Sequence, residues 1–338
     1  MHVKSISERL AKRHDVTVYE GASSYTSSPR YINGVKVEGF RAYSPSDAYN
    51  FSWEMLLKFR KVNFDVVHGH GYHAFPLHFS AYANCRKFVA TTHFHGVGHS
   101  PFRKALVTLL KPFGKNTLER AEKIIAVSEY EKSLLCREFG FDGNKVMVIP
   151  NGVDFTEFSG LSKQTSEFKS MLYVGYLSSF KGVHYLVEIL PKLTGDIILE
   201  IVGSGPLEPY LKSRSRALNV ENRVRFYRNL PRNELLQKFA NAGVFVILSR
   251  YEAYSLVVAE ALAAGTPCIV AKTSAMTEWV DNQSVYGLDI PIDMTKFAAL
   301  VNKVLDQGSD RQAIRKWMNV KILDWTDVAQ QLENVYSS

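Results

Sequence analysis

The chain has 338 residues, of which 46% are apolar and 22% charged, and its mean hydropathy is −0.12. This composition is typical of globular domains and excludes a disordered or fibrous protein, and the length predicts two domains. The formal net charge of +8 falls in residues 1–150, which hold 21 basic against 13 acidic side chains. A basic half indicates an anionic partner, with a phosphorylated substrate, an anionic membrane surface and nucleic acid as the alternatives.

The sequence contains no readable membrane span or secretory signal. The longest apolar runs, such as Val244–Leu248, are far shorter than the roughly 20 residues that a spanning helix needs. Charged side chains interrupt the first thirteen residues, so we expect no secretory signal and a cytoplasmic protein. The three cysteines, Cys85, Cys136 and Cys268, are far apart, which predicts core residues rather than disulfides or a cysteine-bound zinc.

The first predicted element is a helix over residues 2–13, in which Val3, Ile6 and Leu10 share one face. The predicted strand Val16–Tyr19 follows it. A domain built of βα units normally begins with a strand. We therefore expect either an apolar strand and a glycine-rich turn encoded upstream, or an incomplete sheet with a bare edge.

The rest of the first half alternates strand patterns with helical periodicity, which is the signature of βα units stacked on a parallel sheet. Its predicted strands are Val66–His68, Val89–Thr92, Lys123–Val127 and Val146–Ile149. The turn-rich segment Pro150–Asp154 follows the last of them and predicts the domain boundary.

One segment of this half combines apolar and basic residues at helical spacing. The apolar members are Phe102, Leu106, Leu109, Leu110 and Phe113, and the basic members are Arg103, Lys104, Lys111 and Lys115. One interpretation is a half-buried helix with a solvated basic edge. The other is an interfacial helix that holds the protein at the inner face of an anionic membrane, within reach of a lipid-linked or phosphorylated acceptor.

The second half repeats the alternation of strands and helices. Its predicted strands are Met171–Val174, Ile197–Val202, Val224–Tyr227, Val244–Leu248 and Pro267–Ala271. Its predicted helices are Val183–Lys192, Leu207–Leu218, Arg232–Ala240 and Leu256–Ala264. Five such strands predict a doubly wound sheet, so the chain is predicted to be an α/β protein with two Rossmann-like domains.

The segment Ser249–Pro267 carries two carboxylates, Glu252 in a turn and Glu260 on an otherwise apolar helix. A buried carboxylate is costly unless something pairs with it. The partner is either a neighbouring Lys, Arg or loop, or the vicinal diol of a ribose. In the second case the free N–H groups of Tyr254 to Leu256, at the start of the helix, would receive a phosphate.

This segment resembles the signature of the group 1 glycosyltransferases, the retaining GT-B enzymes of glycosyltransferase family four. Glu252 and Glu260 stand eight residues apart, as in that signature. Five further segments resemble family hallmarks in chain order: Ala126–Glu129, Ile149–Asp154, Tyr173–Leu177, Lys181–Val183 and Ile201–Pro206. The resemblance covers nearly the whole chain, and the ordered set is more specific than any single glycine-rich turn.

The resemblance implies a GT-B fold in which two Rossmann-like domains face a cleft. Residues 1–154 would bind the acceptor, although this domain lacks the family's first strand and its glycine-rich loop. Residues 155–316 would bind the nucleotide sugar. Residues 317–338, with Trp317 and Trp325, would return as helices to the first domain.

The resemblance also implies roles for individual residues. Glu260 would hold the ribose, Glu252 would touch hydroxyls of the donor sugar, and Lys181 would neutralise the diphosphate leaving group. Gly175 would let a phosphate approach. His93 would lie beside the anomeric carbon and is the best catalytic candidate. The alternatives are a solvated lysine for Lys181 and a tight turn for Gly175.

The sequence departs from the family pattern at two further positions. Tyr176 stands where the family usually has an arginine that pairs with the lysine on the diphosphate. Arg228 stands where the family commonly has glycine. We expect Arg228 either to supply the missing charge or to be an ordinary exposed arginine.

Nine of the ten histidines precede position 100. Two groups follow predicted strands: His68, His70, His73 and His78, and then His93, His95 and His99. For the histidines other than His93 there are two interpretations: they are loop residues that contact an acceptor, or they are polar surface residues. We expect no metal site, because no carboxylate or cysteine completes a zinc ligand set and the family needs no metal.

The sequence therefore predicts a retaining, metal-independent glycosyltransferase without a cofactor. The donor would be a UDP- or GDP-linked sugar, and the acceptor is unidentified. The absence of D-x-D and G-x-G-x-x-G motifs argues against a metal-dependent transferase fold and a dehydrogenase, and no nucleic-acid module is readable. A nucleotide-sugar epimerase of the same fold and a non-catalytic nucleotide-sugar-binding subunit are the alternatives.

Overall fold

The computed structural model describes residues 2–22, 28–43, 51–96, 101–164, 168–308 and 310–338, and for residues 22 and 101–109 it describes the backbone alone. The chain divides into two compact units. The first unit comprises Met1–Gly152 and Leu323–Ser338, and the second comprises Val153–Ile322. The predicted boundaries fell after residues 154 and 316. Trp317 therefore lies in the second unit and does not return to the first.

The described residues of the first unit form two sheets instead of the single doubly wound sheet that the sequence predicted. The strands are β1 (Thr17–Ala22), β2 (Arg30–Ile32), β3 (Val35–Arg41), β4 (Asn63–His70), β5 (Asn84–Thr91), β6 (Lys123–Ala126) and β7 (Val146–Val148). One sheet has the order β1-β3-β2, and the other has the parallel order β4-β5-β6-β7. Within the described ranges, one edge of β1 and one edge of β4 have no neighbouring strand.

The hairpin of β2 and β3 was missing from the sequence-based prediction, although its turn carries a strong signal. Asn33 and Gly34 join the two strands with φ angles of 49° and 84°. Two consecutive positive φ angles make the type of turn whose twist matches antiparallel strands, and Asn-Gly is its preferred pair. β3 then pairs in parallel with β1, so the hairpin extends that sheet.

In the described part of the first unit, one α-helix precedes these strands and four connect them. They are α1 (His2–Leu10), α2 (Trp53–Lys61), α3 (Phe75–Ser80), α4 (Pro101–Arg120) and α5 (Glu129–Phe139). The predicted N-terminal helix is confirmed, and it buries Ile6 and Leu10 on one face. Ser128 caps α5 by accepting a hydrogen bond from the N–H of Glu131, and Gly140 ends this helix in the left-handed conformation.

The structure describes the side chains of only the second half of the predicted amphipathic segment. The side chains of Phe102, Arg103, Lys104, Leu106 and Leu109 lie outside the described residues. Further along α4, Leu110 and Phe113 are 37% and 40% exposed. Lys111 contacts Glu138, and Lys115 contacts Glu119. This part of the helix is half-buried, with its cations paired to acids of the same unit.

The second unit contains a six-stranded parallel sheet. Its strands are β8 (Ser170–Val174), β9 (Ile198–Val202), β10 (Val224–Tyr227), β11 (Val244–Ile247), β12 (Cys268–Ala271) and β13 (Val285–Leu288). The order β10-β9-β8-β11-β12-β13 is that of a doubly wound sheet. The five predicted strands are confirmed. β13 was missed, because a four-residue run that includes Gly287 is a weak strand signal.

Of the four central strands of this sheet, β9, β11 and β12 are buried along their whole length and β8 is buried beyond Ser170, because helices cover both faces. The helices are α6 (Val183–Ile189), α7 (Glu208–Ala217), α8 (Arg232–Asn241), α9 (Leu256–Ala263), α10 (Met294–Gln307) and α11 (Arg311–Lys321). The last helix, α12 (Trp325–Ser337), packs on α1 in the first unit. No helix in the described ranges is both long and apolar enough to cross a membrane.

Candidate functional site

The strand order of the sheet in the second unit determines which loops lie together at one edge of the sheet. β8 and β11 pair in parallel, and the chain winds in opposite directions from them, so they flank the switch point of the sheet. Ligands of doubly wound sheets bind outside the carboxyl ends of the strands at this point. The loop after β8 contains Gly175 and Lys181, and the loop after β11 contains Glu252. The chain thus positions three predicted residues at this edge.

The loop after β8 packs tightly against the loop after β9. The N–H of Gly175 donates to the carbonyl of Val202, and a Cβ on Gly203 would lie 1.9 Å from the carbonyl oxygen of Gly175. Gly182 has φ +72°, and a Cβ there would lie 2.2 Å from the carbonyl oxygen of Leu248. At Gly203 and Gly182, close packing of backbone on backbone therefore explains why no side chain is present.

Lys181 and Glu252 form an ion pair, with 2.6 Å between Nζ and Oε1. The side chains are 22% and 14% exposed, so the pair is largely shielded but reachable from solvent. The loop around Glu252 is held by Ser274, whose hydroxyl accepts a hydrogen bond from the N–H of Glu252 at 2.9 Å. The structure thus brings together two residues that stand 71 positions apart.

The start of α9 presents free backbone N–H groups and a buried hydroxyl. Ser255 precedes the helix with φ +80°, and its side chain makes no capping hydrogen bond. Its Oγ is buried and has no hydrogen-bond partner among the described residues, as is also true of Ser178 Oγ in the loop after β8. The N–H groups of Leu256 and its successor begin the helix and have no helical acceptor. This is a geometry that receives anions.

The side chain of Tyr254 serves the core. It is 8% exposed and packs edge-on against Trp279, with ring centroids 5.1 Å apart. The indole N–H of Trp279 donates to the carbonyl of Tyr254 at 2.7 Å, which fixes the turn that precedes α9. Any contact of Tyr254 with a ligand would therefore come from its backbone N–H.

Glu260 has an intramolecular cationic neighbour, Arg232 at the start of α8. Arg232 Nη1 lies 2.6 Å from Glu260 Oε1, and the same guanidinium forks onto Glu157. The two close atoms are not aligned for a hydrogen bond, so Oε1 is buried without one among the described groups. Burial raises the pKa of Glu260, while Arg232 lowers it. The carboxylate is thus stabilised by charge and retains hydrogen-bonding capacity for a ligand.

Arg228 is engaged by an acid of its own unit. Its Nε and Nη2 donate to Glu208 Oε2 at 3.0 and 2.6 Å, and Lys212 contacts the other oxygen of the same carboxylate. The Arg228 side chain is 62% exposed. We expected Arg228 either to supply the positive charge of the arginine that Tyr176 replaces or to be an ordinary exposed arginine. Glu208, which contacts both Arg228 and Lys212, offsets part of that charge.

His93 lies in the first unit, directly after β5, with a left-handed backbone at φ +48°. Glu131 holds the residues on both sides of it. One carboxylate oxygen accepts hydrogen bonds from the Thr92 hydroxyl and the Phe94 N–H, and the other accepts from the Val127 N–H at 2.7 Å. Burial raises the pKa of Glu131 to about 7, even though these hydrogen bonds favour the charged form. Glu131 thereby sets the orientation of His93.

Two further histidines surround His93. The ring of His2, from α1, lies 4.7 Å from it between centroids, and the ring of His70, at the end of β4, lies 6.4 Å away. One nitrogen of each of the three rings lies within 4.8 Å of the others. Burial is the main cause that lowers the pKa of His93 to about 4 and that of His2 to about 2, and it lowers that of His70 as well. All three rings are therefore neutral near pH 7.

Other members of the histidine groups have structural partners. His68 bonds to the Tyr336 hydroxyl at 2.6 Å and to the Thr91 hydroxyl at 2.7 Å. His78 is buried between the Thr117 hydroxyl and the carbonyl of Tyr72. These two histidines belong to the core of the first unit. His99 lies outside the described residues.

Four residues of these sites were not singled out from the sequence: Ser178, Arg232, Glu131 and His2. Arg232 was part of a predicted helix, but nothing in the pattern linked it to Glu260, 28 positions away. Glu131 stands three residues after Ser128, a spacing typical of a capping box. That signal could have marked the start of α5, but not the contact with the residues around His93.

Comparison with known proteins identifies the family of this chain. The family model described as Glycosyltransferase Family 4 matches residues 1–157, and the one described as Glycosyl transferases group 1 matches residues 155–317. The chain belongs to the group 1 glycosyltransferases. The activity of the group is the transfer of a sugar from a nucleotide-sugar donor.

Relatives of this glycosyltransferase match it over nearly its whole length. An uncharacterized glycosyltransferase of Methanocaldococcus jannaschii is 28% identical over 99% of this chain and 93% of its own. A glycogen synthase of Mycobacterium tuberculosis is also 28% identical, over 99% of this chain and 89% of its own. Both matches span the two units.

Solved structures establish the fold as GT-B. Sucrose-phosphate synthase from Thermosynechococcus elongatus superposes with a TM-score of 0.78 at 18% identity, over 99% of this chain and 92% of the other. HepE from Anabaena, in complex with UDP-glucose, gives a TM-score of 0.78 at 17% identity, over 99% and 94% of the two chains. The predicted family and fold class of this glycosyltransferase are therefore confirmed.

The buried carboxyl of Glu131 should make the stability of the first unit depend on pH. Its folded-state pKa of about 7 exceeds the ordinary 4.5, so the folded chain holds the proton to higher pH. Stability is then lost as pH rises from about 4.5 through 7. Urea unfolding at pH 5 and at pH 8 measures this. Between these pH values the unfolding free energy of wild type should fall by up to about 3 kcal/mol more than that of Glu131→Gln.

Glu129→Gln, at an exposed position of the same helix, is the matched control and should follow wild type at both pH values. A Glu131→Gln variant with the same pH dependence as wild type would contradict the raised pKa of this carboxyl.

Proposed function

We propose that this glycosyltransferase is a retaining, metal-independent enzyme that moves a sugar from a UDP- or GDP-linked donor to a phosphorylated or lipid-linked acceptor. The observation that carries the proposal is the pair of Lys181 and Glu252 at the switch point of the second sheet. A cation and a carboxylate beside the free N-terminus of α9 match two adjacent parts of a nucleotide sugar, the diphosphate and the sugar hydroxyls.

The diphosphate gains negative charge as its bond to the sugar breaks. Preorganised positive groups lower the barrier most when they point to where that charge develops. Lys181 would leave its ion pair with Glu252 and bind the leaving group. The N–H groups at Ser255 and Leu256 and the hydroxyls of Ser178 and Ser255 would bind the remaining oxygens. In this way the chain's own groups supply the charge stabilisation that a metal ion supplies in other transferases.

The two ends of the donor would be fixed by the two carboxylates. Glu260 retains an oxygen without a hydrogen bond, and we assign it to the two ribose hydroxyls. Glu252, released from Lys181, would accept hydrogen bonds from the sugar. For His93 we propose the role that the family resemblance implies, a hydrogen bond to the reacting sugar. Its neutral ring can donate one hydrogen bond and accept another at pH 7.

Structural neighbours support the choice of donor. HepE is described in complexes with UDP, with UDP and glucose, and with UDP-glucose, and the pneumococcal O-GlcNAc transferase GtfA in complex with UDP and GlcNAc. Relatives act on varied acceptors: one is a phosphatidylinositol N-acetylglucosaminyltransferase subunit of Arabidopsis thaliana, and another is a D-inositol 3-phosphate glycosyltransferase of Corynebacterium diphtheriae. The basic first half of this chain favours a phosphate-bearing acceptor of this kind.

Incubation with UDP-, GDP- and ADP-sugars tests the proposal. We expect slow release of sugar from one UDP- or GDP-linked donor, a product whose anomeric NMR signal, recorded before mutarotation, retains the donor configuration, and no loss of rate in EDTA. Conversion of the donor alone into an epimer would favour the epimerase. Binding without any sugar release would favour the non-catalytic subunit, and inverted product or loss of activity in EDTA would contradict the mechanism.

Removal of the two carboxylates should affect different steps, nucleotide binding in one case and turnover in the other. Glu260→Ala should weaken binding of the free nucleotide by roughly 10- to 150-fold, since a hydrogen bond to a charged group contributes about 1.5–3 kcal/mol. Glu252→Ala should bind the free nucleotide as wild type does, but turn over the nucleotide sugar more slowly. Calorimetry and turnover assays measure the two effects.

Glu157→Gln is the matched control, because it removes the other acid that Arg232 contacts and leaves Glu260 in place. It should keep nucleotide affinity within a few-fold of wild type. Unchanged calorimetric affinity in Glu260→Ala would rule out the ribose assignment.

The membrane-bound form of the acceptor can be tested by vesicle sedimentation. Each Lys or Arg near an anionic leaflet contributes about 1 kcal/mol, so the basic segment of α4 should hold the protein on anionic vesicles at low salt. High salt should release it. R103A/K104A should pellet less than wild type, and absence of pelleting at low salt would favour a free, phosphorylated acceptor.

A further inference from the structure

Three histidines converge in the first unit from separate parts of the chain. His2 begins α1, His70 ends β4, and His93 follows β5. One ring nitrogen of each lies within 4.8 Å of the others, and the His2 ring is 5.2 Å from His70 and 4.7 Å from His93 between centroids. Neutral imidazoles carry no opposite charges, so ion pairing does not explain this grouping.

The hydrogen bond of His2 shows which of its nitrogens is free. His2 Nδ1 lies 2.5 Å from Asn151 Oδ1. The amide oxygen can only accept, so Nδ1 carries the proton and Nε2 carries a lone pair. His2 Nε2 is buried and has no hydrogen-bond partner among the described residues, and the same is true of His70 Nδ1. A buried polar atom left without a partner costs about 1–3 kcal/mol.

Hydrogen bonds and ring contacts hold the groups around these rings. Glu131 accepts hydrogen bonds from the Thr92 hydroxyl and the Phe94 N–H, on either side of His93. His68, whose ring packs at a tilt on His70 at 4.1 Å between centroids, is itself held by Tyr336 and Thr91. The ring of His2 also contacts Trp325 at 5.3 Å. Ligand rings held by outer hydrogen bonds and packing are typical of metal sites.

We propose that His2, His70 and His93 bind one divalent transition-metal ion of the zinc type, with Asn151 as the outer partner that orients His2. Imidazole nitrogens suit Zn²⁺, and three histidines with an open fourth position form a complete zinc site. Zinc–nitrogen bonds measure about 2.0–2.1 Å, so binding one ion would draw the three nitrogens, which lie within 4.8 Å of one another, closer together. The expectation of no metal site missed this set, because His2 is 68 positions from His70.

An ion at this site would occupy a nitrogen of His93. Zn²⁺ should therefore inhibit sugar transfer, and a chelator should reverse the inhibition. This consequence alone rests on the proposed function, since metal binding itself requires only the three rings.

Spectroscopic titration of the full chain with Co²⁺, followed by Zn²⁺, tests the site without an activity assay. Wild type should bind one Co²⁺ with the visible absorption of a four-coordinate nitrogen site, and Zn²⁺ should displace it. H2Q and H70Q should each lose at least about tenfold in affinity, and Asn151→Ala should lose about 10- to 100-fold. H14Q is the matched control, because His14 pairs with Glu333 away from the cluster, and it should bind as wild type does.

Each variant is first checked by its melting temperature without metal, and Zn²⁺ should raise that of wild type and H14Q but not that of H2Q. H2Q keeps the test open if H70Q fails to fold, since His2 lies in the first turn of a terminal helix. Absence of Co²⁺ binding by wild type, or equal binding by H2Q and H70Q, would overturn the proposal. Binding lost in H2Q but kept in H70Q would place the ion at the chain terminus and would also overturn it. If the protein transfers no sugar, the titration still decides the metal site.

Discussion

The arrangement of the second unit depends on the hydrogen bonds that pair β8 with β11. In these bonds Val244 lies opposite Met171 and Phe245 opposite Leu172. Because all strands of the sheet are parallel, this single pairing opens the loops after both strands at the same edge. Lys181 and Glu252 meet there, and α9 begins there. The candidate donor site is therefore a consequence of strand order more than of any local sequence motif.

Burial disfavours the charged form of a carboxylate, and two buried carboxylates are stabilised against this effect in different ways. Glu260 lies beside a cation, Arg232, that favours its charged form, although burial still raises its pKa. Glu131 relies instead on three hydrogen bonds that favour its charged form, and burial still raises its pKa to about 7. A charged group poised on an apolar helix suits a ligand diol, whereas a carboxyl enclosed by its own backbone contacts suits the positioning of His93.

The same first unit brings together His93 and two further neutral imidazoles, each from a different element. Sugar transfer and metal binding would both use the ring of His93. Bound Zn²⁺ should therefore slow sugar transfer, whereas a chelator should leave a metal-independent enzyme active. The two proposals share no residue of the second unit. Measurements on the metal and on the donor can succeed or fail independently.

The family, the α/β class, the five strands predicted in the second half and the candidates Lys181, Glu252, Glu260 and His93 could all be predicted from the sequence. These features are encoded locally, because hydrophobic periodicity, glycine turns and motif spacing act over a few residues. The division of the first unit into two sheets, the missed strand β13, and the contacts of Arg232, Glu131 and His2 were decided only by the tertiary structure. Each of these features depends on which distant segments pack together. The packing of those segments, and not the adjacent residues in the chain, determines which groups contact a buried charge or ring.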